Sequence, residues 1–511
     1  MQPASVAQRG SVNGGMQYQR GQALIYGIFI LISSLSALFF LFNTGQLSSE
    51  KTKLVNTADA VAYSAGVMHA RALNFDAYNN RALVANEVLV AQMVSLSSWA
   101  SYADMQMQNL PSIFPECVNE VTAGYNALTK YDPVYGAMCY LTLQRADSVI
   151  TPATNAISQI SGGLVSGVEV SKKAITAAQA ALHTPLFFER ARSDVMQAVA
   201  DRNYQGDGTV TAGPLLVSTM TDDWKSFTHH FVGDERIRLA NVARTAASSD
   251  SFVRQRNWTS TAIFPPPGEW KCALLNRKNS VRRQGGTDLL GLEEWQAEDT
   301  ESFWRVHNTG RWWEKHCDEN EIPIAYAGRE AASNPAGNDS GALLGGSPLN
   351  NPFAHASVNS NVWPQYTGIS TFYDLSTSNT DPQSTNLREA QDPSLKFAVR
   401  LVRDKTAVRT SDGASQIGPS PRLNNFNSNL ASQQMVAIAT SEVYFNHPPE
   451  QANAGSAGIS SANRNQYAVS QNNLATREIG SLFNPYWQVR LITNNPGDIA
   501  SQQTLQGAVM P

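Results

Sequence analysis

The chain has 511 residues, 42% of them apolar, enough to bury cores in roughly two to four ordinary domains. Lys and Arg (38) are outnumbered by Asp and Glu (42) and no basic cluster stands out, so there is no electrostatic footprint for nucleic acid. Charged residues make up only 16%, beside abundant Asn, Gln, Ser and Thr, a weakly charged surface that suits an exported protein.

From Gln22 to Asn43 the sequence QALIYGIFILISSLSALFFLFN carries no charge, and the uncharged stretch extends to Ser49. About 20 helical residues at ~1.5 Å each cross the ~30 Å hydrocarbon core of a bilayer. The run is therefore predicted to be a membrane-spanning helix over 21–43, with Gln22, Leu24, Phe29, Leu31, Leu35, Phe39 and Phe42 among its anchor residues. Arg9 and Arg20 precede it with no acidic residue between them, whereas Glu50 offsets much of the charge of Lys51 and Lys53 beyond it. The positive-inside rule then leaves residues 1–20 in the cytoplasm and the bulk on the other side. The apolar core exceeds the ~7–15 residues of a signal peptide and no A-x-A-like site follows, so the expectation is a retained anchor.

Beyond the span, Leu54, Ala58, Val61, Ala65, Met68, Ala72 and Phe75 keep a 4-3 spacing that resumes at Ala82, Leu89, Met93, Leu96 and Ala100. This predicts a long helix packed lengthwise against another helix, within the chain or in a second copy. Asn79 and Asn86 interrupt the seam, and Pro111 and Pro115 end it. With further helical blocks over 135–200 and 222–256, residues 44–257 form a predicted helical stalk or bundle. Short runs between turn residues then predict a mixed, strand-rich region over 258–331, with Trp270, Trp295, Trp304, Trp312 and Trp313 in its core. Gly, Asn, Ser and Pro concentrate over 332–352, a linker. Residues 353–511 form a predicted strand-rich C-terminal region, on the strength of Lys396–Arg403, Met435–Phe445 and Trp487–Ile492. The fold class expected is α+β.

Four cysteines, Cys117, Cys139, Cys272 and Cys317, are widely spaced and contain no C-x-x-C pair. They are taken as disulfides, and of three connectivities Cys117–Cys139 with Cys272–Cys317 is favoured because each pair lies within one apparent region. No H-E-x-x-H, G-x-S-x-G or phosphate-cradling loop accompanies them, and His229-His230, Asp234–Arg236 and Glu293–Asp299 are expected to be solvated surface. Neither enzyme activity nor a cofactor is expected.

Arg20-Gly21-Gln22-Ala23-Leu24 opens the span, and NTGQLSSEKTKLVNTADAVAYSAG follows it; together they resemble the N-terminal region of TadG-like proteins of the Tad (Flp) pilus assembly system. The family pattern K-L-x-N-x-A-D-A-x-A-x-x-A-G is met at Lys53–Gly66, and Ser441–Phe445 and Leu482–Trp487 are similar to C-terminal pieces of large TadE/TadG-like proteins. The resemblance implies a single helix in a bacterial inner membrane, a periplasmic bulk, and Tad/Flp assembly proteins as partners, with self-association through the juxtamembrane helix as a further expectation. In prepilin-like relatives, cleavage after a glycine accompanies a glutamate at the fifth mature position. Cleavage after Gly21 would put Tyr26 there, so an anchor retained in the membrane is expected. Some relatives carry a von Willebrand A-like domain with a D-x-S-x-S metal site, a spacing met at Asp374, Ser376 and Ser378; the polar flanks YTGISTF and NTDPQSTN favour a turn there. The leading reading is a non-catalytic scaffold or minor pilin-like component. The alternative is an envelope-anchored adhesin or ligand-binding protein whose C-terminal strand-rich region is a distal domain that holds a ligand, with Asp374 as its candidate metal site.

Overall fold

The computed structural model describes residues 22–113, 147–254, 256–261, 277–311, 316–333, 350–376, 393–404, 434–446 and 480–505, with Cys272, Leu274, Leu275 and Trp313. Its fold is α+β, organised on one helix.

Helix α1 runs unbroken over Gln22–Ile113, about 140 Å at ~1.5 Å per residue. From Leu54 its inner face is buried at Leu54, Ala58, Val61, Ala65, His69, Ala72, Asp76, Asn80, Leu83, Glu87, Ala91, Val94 and Ser98, none more than 4% exposed. These positions repeat in the order 4-3-4, an 11-residue period of ~3.67 residues per turn. The heptad seam assumed ~3.5 residues per turn, and a straight helix drifts ~20° per heptad from that. Beyond Ala65 the buried face accordingly leaves the predicted seam: Phe75 is 42% exposed while its neighbour Asp76 is fully buried. The helix ends at Ile113, between Pro111 and Pro115.

Other helices cover only part of α1. Helix α2 (Asp147–Leu182) runs antiparallel to its anchor-distal half, Thr154 meeting Ala100 and Gln179 meeting Asn80. Helix α3 (Pro185–Asn203) continues beside the anchor-proximal half, where Met196 and Ala200 join the core. Sheets complete the sheath. Strands β1 (Thr211–Pro214), β9 (Leu395–Asp404), β10 (Gln434–Phe445) and β11 (Trp487–Ile492) pair antiparallel in the order β1-β9-β10-β11. That sheet packs Phe397, Val399, Leu401, Ala437 and Ala439 on Leu54–Ala65. The anchor-distal half carries a five-stranded sheet of β3 (Trp258–Thr261), β4 (Ser280–Leu290), β5 (Glu294–Asn308), β6 (Cys317–Ala332) and β7 (Ser360–Trp363), antiparallel except for β6–β7. Trp295, Ala297 and Ala331 of this sheet share a core with Leu83–Val94 of α1 and with Leu239, Ala240 and Ala243 of helix α4 (Ile237–Ser248). A short pair, β2 (Thr228–Phe231) with β8 (Phe372–Leu375), completes the described sheets.

Two expectations change. Residues 44–257 are not wholly helical, since β1 and β2 arise there and pair with strands from the C-terminal third; four-residue strands are too short for a period to be read. The C-terminal region is also not a separate distal unit, because β9–β11 lie on the anchor-proximal half of α1 and the 258–331 sheet on the far half. Trp313 is 62% exposed and outside the core, whereas Trp295 is fully buried. Most of the expected linker, 334–349, and Trp270 and Trp312 lie outside the described residues.

Candidate functional site: the anchor, collar and polar spine of the long helix

The first five turns of α1 are apolar on every side. Leu24, Phe29, Leu31, Leu35 and Phe42 are 57–69% exposed, and the most apolar 18-residue window is 0% buried. Phe39 is partly covered, Gln22 opens the helix and Gly21 lies outside the described residues. A bare apolar helix of this length, with its backbone polar groups satisfied internally, matches the thickness of a bilayer. The arrangement fits a membrane-anchored protein.

Where α1 enters the body, a polar collar ties it to the anchor-proximal sheet. Lys51 Nζ donates to the carbonyl of Val436 at 2.6 Å, and burial lowers the pKa of this ammonium. Lys53 pairs with Asp207 at 2.5 Å and lies 4.5 Å over the Tyr204 ring. Arg403, fully buried, faces Glu50 at 3.5 Å and donates to the Asp207 carbonyl at 2.7 Å. These flanking charges do structural work as well as setting a charge balance.

The next turns carry the small residues of the Lys53–Gly66 pattern. A Cβ on Gly66 would collide with Cγ2 of Val489 and come within 3.0 Å of Ser441 Oγ, so glycine lets β10 and β11 lie directly on the helix. Further along, Asn74 exchanges two hydrogen bonds with the backbone of Trp487, at 2.9 and 3.0 Å. Arg81 Nε donates to the Phe483 carbonyl at 2.6 Å, and Asn80 donates to the Leu482 carbonyl at 2.7 Å. Gly66, at the end of the N-terminal stretch that carries the TadG-like resemblance, thus meets Ser441 of the C-terminal one, and Leu482–Trp487 lies on the turns of α1 that follow.

Beyond Ala65 the inner face mixes polar with apolar side chains, and each of these polar side chains makes at least one bond. His69 sits among Phe188, Trp224 and Phe397, ring centres 5.1–5.5 Å away; Arg192 donates to it at 3.2 Å, and burial brings its pKa down to about 3, so the imidazole is neutral. Asp76 bonds His183 Nε2 at 2.7 Å, and burial raises its carboxyl above the usual range. Glu87 accepts from Trp295 Nε1 at 2.9 Å and Tyr366 Oη at 2.7 Å, and meets Lys172 at 2.8 Å; Lys172 also bonds Glu169 and the Gly368 carbonyl, each at 2.7 Å. Ser98 donates to Asp299 at 2.8 Å. Burial alone would raise Asp299, but Arg256 at 2.7 Å and Arg283 at 3.1 Å hold it below the usual carboxylate range. Tyr102 donates to Glu301, which burial pushes up to about 7. Networks like this add little net stability but penalise any other register of helix against sheet.

Asp76, His183 and Thr228 have the order of an acid–base–hydroxyl set. The His183–Thr228 distance is a long 3.4 Å, Thr228 also bonds the Trp224 carbonyl, and His183 is stacked on Tyr373 at 3.8 Å. All three side chains are buried. Asp374 is fully buried in β8; Oδ1 accepts the backbone amides of Leu375 and Leu482 at 2.8 Å, and Oδ2 pairs with Arg238 at 2.8 Å. The Ser376 amide donates to the Phe227 carbonyl, and Ser378 lies outside the described residues. Among the described residues, no group of three or more His, Cys, Asp or Glu is placed to hold a metal. Cys272 and Cys317 form a disulfide with Cα atoms 5.8 Å apart, while Cys117 and Cys139 lie outside the described residues.

The chain's similarity to known proteins falls on this same helix. Residues 21–72 match the Tad family, described as putative Flp pilus-assembly TadE/G-like. No curated protein and no solved structure matches the chain. The Tad match covers the anchor, the collar lysines and the first buried turns from Leu54 to Ala72. Sequence reasoning did not find Asn80, Glu87 or Asp76 as inner-face residues; an 11-residue period laid over the same stretch would have marked all three.

Proposed function

We propose that the protein is a non-catalytic, membrane-anchored component of Flp pilus assembly, acting as a scaffold on the periplasmic side of the inner membrane with residues 1–20 in the cytoplasm. The observation that carries this reading is the continuity of α1: one helix is a bare apolar anchor at its start and the core of every described sheet layer further on. A rod of this kind fixes the height and orientation of the body above the bilayer, which is what a scaffold for other membrane-held components requires. The Tad match at 21–72 supports the pilus setting, since it lies on the anchor and on the turns that join it to the body. Partners would then be the assembly proteins that meet the anchor in the membrane or the sheath beyond the collar.

The test is deletion of the chain in its native host, scored by counting surface pili and measuring attachment to a surface. Loss of both, restored by the full chain, supports the reading; normal pili in the deletion strain would sink it.

A further inference from the structure

The anchor-distal end of the body holds a groove of about 430 Å³ between α1, α2 and the edge of the five-stranded sheet. Ser101 and Asp104 of α1, Asn155 and Ser158 of α2, and Arg329 and Asn361 of β6 and β7 line it. Arg329 is 6% exposed. Its Nη2 donates to Ser158 Oγ at 3.1 Å and its guanidinium lies 5.1 Å from the Trp363 ring centre. Its Nε is buried and has no hydrogen-bond partner, and no carboxylate lies within ion-pair distance of it among the described residues. Other buried guanidinium groups here face a carboxylate, although the Nε of Arg283 and that of Arg403 also make no hydrogen bond: Arg256 and Arg283 share Asp299, and Arg403 faces Glu50. An unmatched buried cation is costly, and a guanidinium fork is shaped to take a carboxylate through two parallel hydrogen bonds.

We propose that this groove is a binding site for a carboxylate carried on a neutral, hydrogen-bonding ligand, with Arg329 as the residue that receives it. The rest of the lining, which includes Met105, Gln108 and Thr154, carries no second cation. Ser101, Asn155 and Asn361 offer neutral donors and acceptors, while Asp104 adds a negative charge that disfavours a dianion such as phosphate. Asp104 is itself held by Thr151 and by Gln108 at 3.0 Å, so it remains a fixed part of the α1 wall. Burial also lowers the pKa of the Arg329 guanidinium, the direction expected of a cation without a counter-charge.

The full chain in detergent would be studied by saturation-transfer NMR with millimolar N-acetylglycine as the probe and N-acetylglycinamide, which lacks the carboxylate, as its comparison. The expected result is saturation transfer to N-acetylglycine well above that to the amide. It should fall to the amide's level in Arg329→Gln and in Asn155→Trp, which fills the groove from an exposed position on α2 without altering Arg329. If Arg329→Gln fails to fold by circular dichroism, the Asn155→Trp variant and the probe pair still decide the question. Equal transfer to both probes, transfer that survives both substitutions, or displacement of the probe by an equal concentration of inorganic phosphate would overturn the proposal.

Discussion

Gly66→Ala is the substitution whose sign separates close helix–sheet packing from ordinary helix behaviour. In an unobstructed helix, replacing Gly by Ala stabilises by about 1 kcal/mol, because Ala loses less backbone freedom on folding. Here the new methyl would overlap Val489 Cγ2 and press on Ser441, whose Oγ and Cβ stand 3.0 and 3.1 Å from it. Overpacking of that kind costs ~1–3 kcal/mol. The expected net effect of Gly66→Ala is therefore destabilisation of up to about 2 kcal/mol. Trimming the obstacle should reverse the sign: in a Val489→Ala background, Gly66→Ala is expected to be neutral or to stabilise by up to about 1 kcal/mol. Thermal melts of the four proteins of this cycle, followed by circular dichroism in one detergent, measure both effects. A Gly66→Ala variant that melts higher than the parent, with Val489 intact, would refute the claim that β11 rests on the helix backbone at this point.

Three other outcomes are expected. Asp374→Asn, which breaks the pair with Arg238, should destabilise by about 3 kcal/mol, while EDTA leaves the melting temperature of the parent unchanged; melting that shifts with EDTA would restore the metal reading. Burial raises Glu301 from 4.5 to about 7, so the folded protein holds a proton there that the unfolded chain releases, and stability from this group falls as pH rises through that window. Glu301→Gln should therefore gain on the parent between pH 5 and 7, by up to about 3 kcal/mol, and a difference in melting temperature that stays flat with pH would count against a buried, protonated carboxyl. Val217 is 91% exposed; Val217→Cys should be labelled by a membrane-impermeant maleimide added to spheroplasts, above the level of the parent, whereas labelling only after lysis would invert the orientation.

The anchor was legible because an uncharged apolar run of bilayer length needs no partner to be recognised. So was the start of the long helix, since over the turns from Leu54 to Ala65 a 4-3 spacing and an 11-residue period coincide. They separate beyond Ala65, and the heptad reading then assigned Met68 and Phe75 to the inner face in place of His69 and Asp76. The polar spine was illegible for a further reason. A carboxylate such as Glu87 looks solvated until Lys172, Trp295 and Tyr366 are brought to it from distant parts of the chain. The sequence around Asp374, Ser376 and Ser378 favours a turn over a metal site; Asp374 instead lies buried in β8, and its counter-charge, Arg238 on α4, comes from a distant part of the chain. Strands β1 and β2 took their partners from the C-terminal third, and four residues alone could not announce that pairing.

Replacing residues 1–43 with a cleavable signal peptide, so that the body is released without its anchor, and returning this form to the deletion strain bears most directly on a scaffold whose membrane helix and body act as one rod. Surface pili are expected to return with the full chain and to stay absent with the released body, although both reach the same compartment in equal amounts. Full restoration of pili by the unanchored body would contradict the account.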